Sequence, residues 1–394
     1  MKDTRIELCA HDNCTGCFAC AAKCPKHAIG QYVDEEGFRY PVIESDNCVA
    51  CHLCEKTCPI MYPVSKYDKG ITYAAWSLNP EIRLRSSSGG LFSEIALSII
   101  DEGGIVVGAS MNKNGYVVHT IADNESKLSE LRGSKYVQST VDATLYDIMQ
   151  GYIKEHKKVL FSGTPCQVAA ARSFFKDSEY LFTIDIVCHG VPSPEVFASV
   201  FKAVRKKYPN LVSYNFRQLD SWGVCGSVNV NVNVNGKLQN IPLYGDYTFY
   251  QDAFSKGLMH RMCCYDCKFT SIERVGDITL GDFWGIGKYA PKPDNYQFGC
   301  SLVSVNSKQG RQIFSAISNN IYFEERDINE TIDGGNAQLV SPSRKPFGRK
   351  TFYGDFNSVG VKNIIKKYEL KTISKPRPIY IRLAIRLIKK ICNI

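Results

Sequence analysis

Two stretches near the start of the chain carry the residue type and spacing that most plainly imply chemistry. They are Cys14-Thr-Gly-Cys17-Phe-Ala-Cys20-Ala-Ala-Lys-Cys24-Pro25 and Cys48-Val-Ala-Cys51-His-Leu-Cys54-Glu-Lys-Thr-Cys58-Pro59. Both read C-x-x-C-x-x-C-x-x-x-C-P, and they match at an offset of 34 residues, from Asp12-Asn13-Cys14 to Asp46-Asn47-Cys48. Three thiolates so spaced wrap one face of a 4Fe-4S cube, and where two such motifs occur together the fourth, ahead of proline, ligates the other cube. The expected ligand sets are therefore crossed: Cys14, Cys17, Cys20 and Cys58 for one cluster, Cys48, Cys51, Cys54 and Cys24 for the other. Zinc is the competing reading, but zinc sites typically separate their C-x-x-C pairs by longer loops.

A second group of thiols is spread through the chain. Val159-Leu-Phe-Ser-Gly-Thr-Pro-Cys166 reads as a buried strand, a turn and a helix with Pro165 near its first position, and Leu181 to Val187 reads as the next strand, ending at Cys188. If those strands are parallel, Cys166 and Cys188 share the sheet edge where open α/β sheets bind ligands. Cys264-Tyr-Asp-Cys267 could join them as a third metal site, with Cys263 as an alternative to Cys264, although free cysteines often serve only as small buried hydrophobes. Cys9, Cys225, Cys300 and Cys392 have no partner spacing and read as structural or surface residues.

Other candidates are polar. Ser86-Ser87-Ser88-Gly89-Gly90 precedes a helical pattern, where backbone N–H groups and the helix dipole can receive a pyrophosphate; a serine N-cap is the plainer alternative. Gly133-Ser134-Lys135-Tyr136 gathers a cation, a hydroxyl and a ring, and Gly281-Asp282-Phe283-Trp284-Gly285 a carboxylate and an indole. Either can border a ring cofactor or be an ordinary loop. His189 and Asp282 are candidate proton donors, with a hydrogen-bonded structural role as the alternative for His189. No G-x-G-x-x-G or Walker A motif occurs, so neither a standard dinucleotide fold nor a P-loop is supported.

The elements that must position these residues alternate. Residues 1–62 form a two-cluster module with a hairpin between the repeats, 63–70 a linker, 71–355 a larger domain, and 356–394 a basic tail in which Arg377 to Ile394 reads as an amphipathic helix. Strands at Ile71 to Trp76, Ile105 to Ala109 and Tyr116 to Ala122 interleave with helices near Gly89 to Asp101, Asn124 to Leu131 and Val141 to His156. Val228-Asn-Val-Asn-Val-Asn-Val-Asn-Gly is a hairpin signal ending in Asn235-Gly236. The fold class expected is α+β: a small N-terminal two-cluster module followed by a larger mixed α/β domain. Seventeen cysteines, eight of them in the paired motif, point to metal ligation in a reducing compartment. No signal-peptide pattern and no run of about 18 apolar residues is seen, so a cytoplasmic location is expected, with peripheral membrane contact or docking on protein as alternatives for the basic helix. The net charge of +9 comes largely from the tail, and no nucleic-acid-binding signature accompanies it.

Taken in order, Ser-Ser-Ser-Gly-Gly-Leu-Phe (86–92), Gly-Ser-Lys-Tyr-Val-Gln-Ser (133–139), Gly-Thr-Pro-Cys-Gln (163–167), Cys-His-Gly-Val-Pro-Ser-Pro (188–194) and Cys264-x-x-Cys267 followed by Gly-Asp-Phe-Trp-Gly-Ile resemble the family of coenzyme F₄₂₀ hydrogenase/dehydrogenase beta subunits. The likeness spans roughly residues 71–355, with a two-cluster, bacterial-type ferredoxin module fused in front. The resemblance implies FAD and a third 4Fe-4S cluster on Cys166, Cys188, Cys264 and Cys267, with the Ser87 to Gly90 and Gly133 to Tyr136 loops and Trp284 as flavin contacts. It implies an oxidoreductase that takes single electrons from a ferredoxin or similar low-potential donor and exchanges two with a small organic substrate. Archaeal members of the family exchange hydride with coenzyme F₄₂₀ and many bacterial ones accompany glycan-assembly genes, so the resemblance implies coenzyme F₄₂₀ or a role in polysaccharide biosynthesis without fixing the substrate. The competing readings are a non-catalytic electron-transfer subunit and a redox sensor.

Overall fold

The computed structural model describes residues 6–176, 178–217, 222 and 228–375. Cys225, Cys392 and the basic segment from Arg377 onward lie outside the described residues. In the N-terminal module, β1 (Ile29–Val33) and β2 (Arg39–Ile43) form an antiparallel hairpin. Its turn is held by the Asp34 carboxylate, which accepts from the N–H groups of Glu36 and Phe38 at 3.0 and 2.8 Å. Each cysteine repeat contributes one short helix, Ala19–Ala22 and Leu53–Thr57. Both are preceded by a non-glycine residue in the left-handed region, Phe18 at φ 56° and His52 at φ 59°, so the sequence repeat is also a repeat of backbone conformation.

The larger domain is built on an eight-stranded mixed sheet. Its strands are β3 (Ile71–Ser77), β4 (Ile105–Met111), β5 (Val117–Ala122), β6 (Val159–Gly163), β7 (Leu181–Ile186), β11 (Ile278–Asp282), β12 (Ser301–Val305) and β13 (Ile321–Glu325). The intervening β8 (Leu211–Asn215), β9 (Asn229–Val234) and β10 (Lys237–Pro242) form a separate antiparallel sheet. The strand order is β13-β3-β12-β11-β7-β6-β4-β5. The central four, β4, β6, β7 and β11, run parallel, and the flanking strands pair antiparallel. Parallel strands bury both faces, and alternation divides their residues between two cores. Val106, Leu160, Phe182 and Ile184 pack with helix Leu91–Asp101 on one face; Ile105, Val107, Val159, Phe161 and Leu181 pack with helix Pro165–Phe175 on the other. Ala19 of the first cysteine repeat is buried in this second core, and the Tyr146 hydroxyl donates to the Cys17 carbonyl at 3.3 Å. The iron–sulfur module is thereby seated on the face of the sheet covered by helix Pro165–Phe175.

The separate sheet turns at Asn235 (φ 51°) and Gly236 (φ 79°), the two positive φ values that a two-residue type I′ hairpin requires. Val230 and Val232 enter a third core with Phe197, Phe216 and Tyr250. Helices Arg349–Val359 and Val361–Lys367 place Phe352 and Ile364 in that core as well, so packed structure continues past residue 355. Among the described residues no helix is long and apolar enough to cross a membrane.

Candidate functional site: a row of cysteine-lined cavities

The cysteines of the two repeats border two small cavities in the crossed sets expected from their spacing. Cys48, Cys51, Cys54 and Cys24 line one; Cys14, Cys17, Cys20 and Cys58 line the other, where Cys54 and Cys9 also reach. Cys51 is the one solvent-exposed thiol among the described cysteines. Burial pushes the Cys17 thiol up to about 12 and raises Cys14 and Cys20 as well, so a positively charged centre is what would draw off their protons. Cys58 differs: a hydrogen bond from the Cys9 thiol, supplemented by the N–H groups of Met61 and Ile60, lowers it to about 6. Cys9, read from the sequence as structural or surface, thus stands at a cluster cavity. Cys300, by contrast, is wholly buried in the core.

A third cavity gathers Cys166, Cys188, Cys264 and Cys267 with Cys263. β6 and β7 are parallel, which brings Cys166, in the first turn of helix Pro165–Phe175, to the sheet edge where Cys188 follows β7. The helix start is fixed by a capping box between Thr164 and Gln167 and by Pro165 in the first turn. Cys264 and Cys267 arrive on a 3-10 turn, Met262–Asp266, and its flank. The downstream end of that segment is tied to the sheet by Arg274, whose Nη2 lies 2.9 Å from the fully buried Asp185 carboxylate, and by the Gly276 N–H, 2.9 Å from the same side chain. Burial raises Cys166 and Cys267 and pushes Cys188 up to about 12, while Cys264 is raised first by its bond to Cys263 and then by burial. Among the described residues no three His, Cys, Asp or Glu side chains converge on a single ion; the thiols stand around cavities.

The largest of the four cavities described, about 330 Å³, runs along the same sheet edge, at the lower end of the size range of small-molecule sites. It brings together the Ser86–Gly90 loop and the Gly133–Tyr136 loop, joined by the Ser134 N–H donating to Ser87 Oγ at 2.8 Å. Helix Leu91–Asp101 is preceded by Gly90 at φ 92° with no side-chain cap, so the serine N-cap alternative does not describe this terminus. A Cβ on Gly89 would lie 2.4 Å from the Ala75 carbonyl, which makes glycine obligatory there. Lys135 donates to the carbonyls of Glu130 and Arg132 at 2.9 and 2.8 Å. Its side chain keeps some solvent contact, yet desolvation by the surrounding protein lowers it to about 7. The middle of the cavity is apolar, with Leu131, Val137, Ile184 and Leu280.

His189 faces both this cavity and the third cysteine cavity; its Nε2 is 3.3 Å from the Ser255 carbonyl, and its ring abuts Phe254 and His260. Asp282 lines the cavity with both oxygens engaged, one by Arg217 Nη1 at 2.6 Å and one by Trp222 Nε1 at 2.9 Å. Trp284 is not among the lining residues; it stacks on Trp222, with centroids 5.6 Å apart. Sequence patterns did not mark His119, Arg132, Arg217 and Gln167 as cavity residues, yet all four line it. His119 is buried, its Nε2 3.0 Å from the Ser162 carbonyl and its Nδ1 unpaired, and burial lowers it to about 4. His119, Arg132 and Arg217 stand outside every motif, so no spacing points to them, while Gln167 closes the Gly163–Gln167 motif without being read as a cavity residue.

The four cavities form a row. Cys54 is common to the two in the module; Thr15 and Ile60 are common to the Cys14 cavity and the third; Cys188, His189, Gly190 and Val191 are common to the third and the largest.

Residues 13–61 match a 4Fe-4S dicluster domain, residues 72–145 the N-terminal part of the coenzyme F₄₂₀ hydrogenase/dehydrogenase beta subunit, and residues 156–331 its C-terminal part. A subunit of the F(420)H(2) dehydrogenase of Methanosarcina mazei is 22% identical over 305 residues, covering 72% of this chain and 81% of the relative. A chain of the F₄₂₀-reducing [NiFe] hydrogenase complex from Methanosarcina barkeri is similar at 20% identity and a TM-score of 0.43, over 72% of this chain and 98% of that one. With an iron–sulfur module in front and both halves of the beta-subunit pattern behind it, the chain belongs to the family of coenzyme F₄₂₀ hydrogenase/dehydrogenase beta subunits, as an iron–sulfur, electron-transferring member.

Proposed function

We propose that the chain conducts single electrons along this row to a flavin site where two-electron chemistry on a small organic molecule takes place. The outer site is a 4Fe-4S cluster on Cys48, Cys51, Cys54 and Cys24, whose exposed Cys51 faces a ferredoxin-like donor; the next is on Cys14, Cys17, Cys20 and Cys58; the third is on Cys166, Cys188, Cys264 and Cys267. The observation that carries the proposal is the wall of Cys188 to Val191 shared by the third cysteine cavity and the largest cavity. Flow in the opposite direction uses the same path.

The largest cavity fits an extended anionic cofactor of the FAD type. One end offers the uncapped start of helix Leu91–Asp101 at Gly90 and the tied hydroxyl of Ser87, groups suited to a pyrophosphate, while Gly89 lies behind them with its N–H given to Ser301 Oγ. The apolar middle suits a ring, and Lys135, Ser134 and the unpaired His119 Nδ1 supply polar partners beside it. Bound there, FAD would supply the exchange between one-electron and two-electron chemistry. His189, at the junction of the two cavities, is the residue placed to hold a proton for the substrate; Asp282, with Arg217 and Trp222 on its oxygens, orients that end of the cavity. The names of the relatives favour coenzyme F₄₂₀ as the organic partner. A second reading, a relay subunit that serves a separate enzyme without a catalytic flavin, is favoured by the Methanosarcina mazei relative being itself a subunit.

Anaerobic purification followed by metal and flavin analysis separates the two: about twelve irons with one flavin supports the first, and a full set of irons without flavin supports the second. The Cys264→Ser variant is expected to lose the third cluster's electron paramagnetic resonance signal and keep the other two. Three unchanged signals would overturn the ligand assignment.

A further inference from the structure

Arg261 is the largest of the fully buried side chains, and among the described residues no carboxylate pairs with it. Its guanidinium donates from Nε to the Cys14 carbonyl at 2.7 Å, from Nη1 to Gln138 Oε1 at 3.1 Å, and from Nη2 to the Arg39 carbonyl at 3.1 Å. It lies over the Tyr40 ring, 3.9 Å from the centroid. Gly16 is kept open for it: a Cβ there would lie 2.9 Å from Nη1, and Gly16 already has φ 67°. The main chain of Arg261 bonds in two further directions, its N–H to the Val191 carbonyl and its carbonyl to the Cys264 N–H. One residue therefore bonds to Cys14, Cys264 and Val191, which line the Cys14 cavity, the third cavity and the wall shared with the largest, while lining none of them itself. Three neutral acceptors engage three of its five N–H groups without cancelling its charge, and an uncompensated buried cation is costly.

We propose that the counter-charge of Arg261 is the pair of clusters on either side of it, and that its cation raises the reduction potentials of both relative to the outer cluster. A 4Fe-4S cube with four thiolates is net anionic in both oxidation states and gains one more negative charge on reduction. A fixed positive charge in a low-dielectric setting therefore stabilises the reduced form more than the oxidised form. The two inner sites become better electron acceptors than the exposed site on Cys48, Cys51, Cys54 and Cys24, and the row acquires a downhill step inward. Arg261 acts here as a positioning and tuning residue and takes no part in bond making. The inference rests on the cluster assignment made above.

The test is an anaerobic potentiometric titration of the full holo chain followed by electron paramagnetic resonance. In Arg261→Gln, the midpoint potentials of the two inner clusters are expected to fall together while the outer one holds. In Arg261→Lys, which keeps the charge, both are expected to stay nearer the parent values. Gln138→Glu, which sets a carboxylate beside Nη1 without removing the arginine, is expected to lower the same two potentials. Iron retained with all three potentials unmoved in Arg261→Gln and Gln138→Glu would overturn the proposal, as would equal shifts in Arg261→Gln and Arg261→Lys. Loss of the inner clusters from both neutralised variants would assign Arg261 to assembly and overturn the tuning role too. A parent chain with no cluster at the inner sites would instead bring down the assignment on which the inference rests.

Discussion

The eight cysteines of residues 14–58 reach their cavities by local means. Each repeat makes its own turn, with Phe18 and His52 in matching left-handed conformations, and the ligand sets need one exchange between repeats, of Cys24 and Cys58, although the larger domain braces the backbone of the first repeat through Arg261, Gln138 and Tyr146. The third cysteine site is built the other way. Cys166 and Cys188 meet because β6 and β7 are parallel, and Cys264 and Cys267 reach them from a segment fastened by the buried Arg274–Asp185 pair. A site encoded by spacing tolerates change in the rest of the chain; a site encoded by the fold depends on groups that never touch the metal.

The sharpest way to break that comparison is Asp185→Ala. It leaves the Arg274 guanidinium buried without its carboxylate and the Gly276 N–H without its acceptor, a loss of about 3–5 kcal/mol. The expected outcome is a large drop in the urea midpoint of the larger domain and loss of the third cluster signal, with both module signals retained. If the module signals vanish in parallel, the two sites are not independently built.

The same contrast explains what could be read from the sequence. The crossed sets follow from the repeat alone, and strands β6 and β7, the helix beginning at Pro165 and the Asn235-Gly236 turn follow from short patterns with a physical cause, whereas the parallel pairing of β6 with β7 is only a condition in the sequence and is shown by the fold. Cys264 and Cys267 could be named as partners of Cys166 and Cys188 only loosely, because the strand order that joins them is not written in any window. Arg261, Asp185, Arg274 and His119 were invisible for a related reason: a lone polar residue has no period, and its meaning lies in what the fold leaves around it. Cys9 shows the limit of spacing from the other side: it has no partner spacing, and only the fold shows that its thiol lies against Cys58.

Acid should sharpen the comparison by weakening the larger domain first. His119 has a folded value near 4 against an ordinary value of 6.5, because burial disfavours its charged form. Between those values the unfolded chain binds more protons, so stability falls as pH falls from 6.5 towards 4. His260, also buried, is lowered to about 3 by burial and acts in the same direction over a wider window. In the module, Glu55 is held below its usual 4.5, chiefly by the Glu7 N–H, so its contribution is present above that value and lost only as pH falls below it. All three tryptophans, Trp76, Trp222 and Trp284, belong to the larger domain, so their fluorescence reports it alone. Urea midpoints read that way should fall between about pH 7 and about pH 5 and fall less in His119→Gln; a pH-independent midpoint would contradict the buried, neutral histidine.

Ser87→Ala tests the comparison at its finest grain, because it alters neither a cluster ligand nor a buried charge. Ser87 Oγ is the acceptor for the Ser134 N–H, the bond that holds together the two loops at the polar end of the largest cavity. Its removal should cost about 0.5–1.5 kcal/mol, small against the Asp185 variant and confined to the place where the two loops meet. If those loops jointly hold a flavin, its dissociation constant, measured by anaerobic fluorescence titration, should rise by roughly two- to ten-fold while every cluster signal stays unchanged. Unchanged flavin affinity would separate the loops from the cofactor, and altered module clusters would show that the locally encoded region feels the far end of the fold after all.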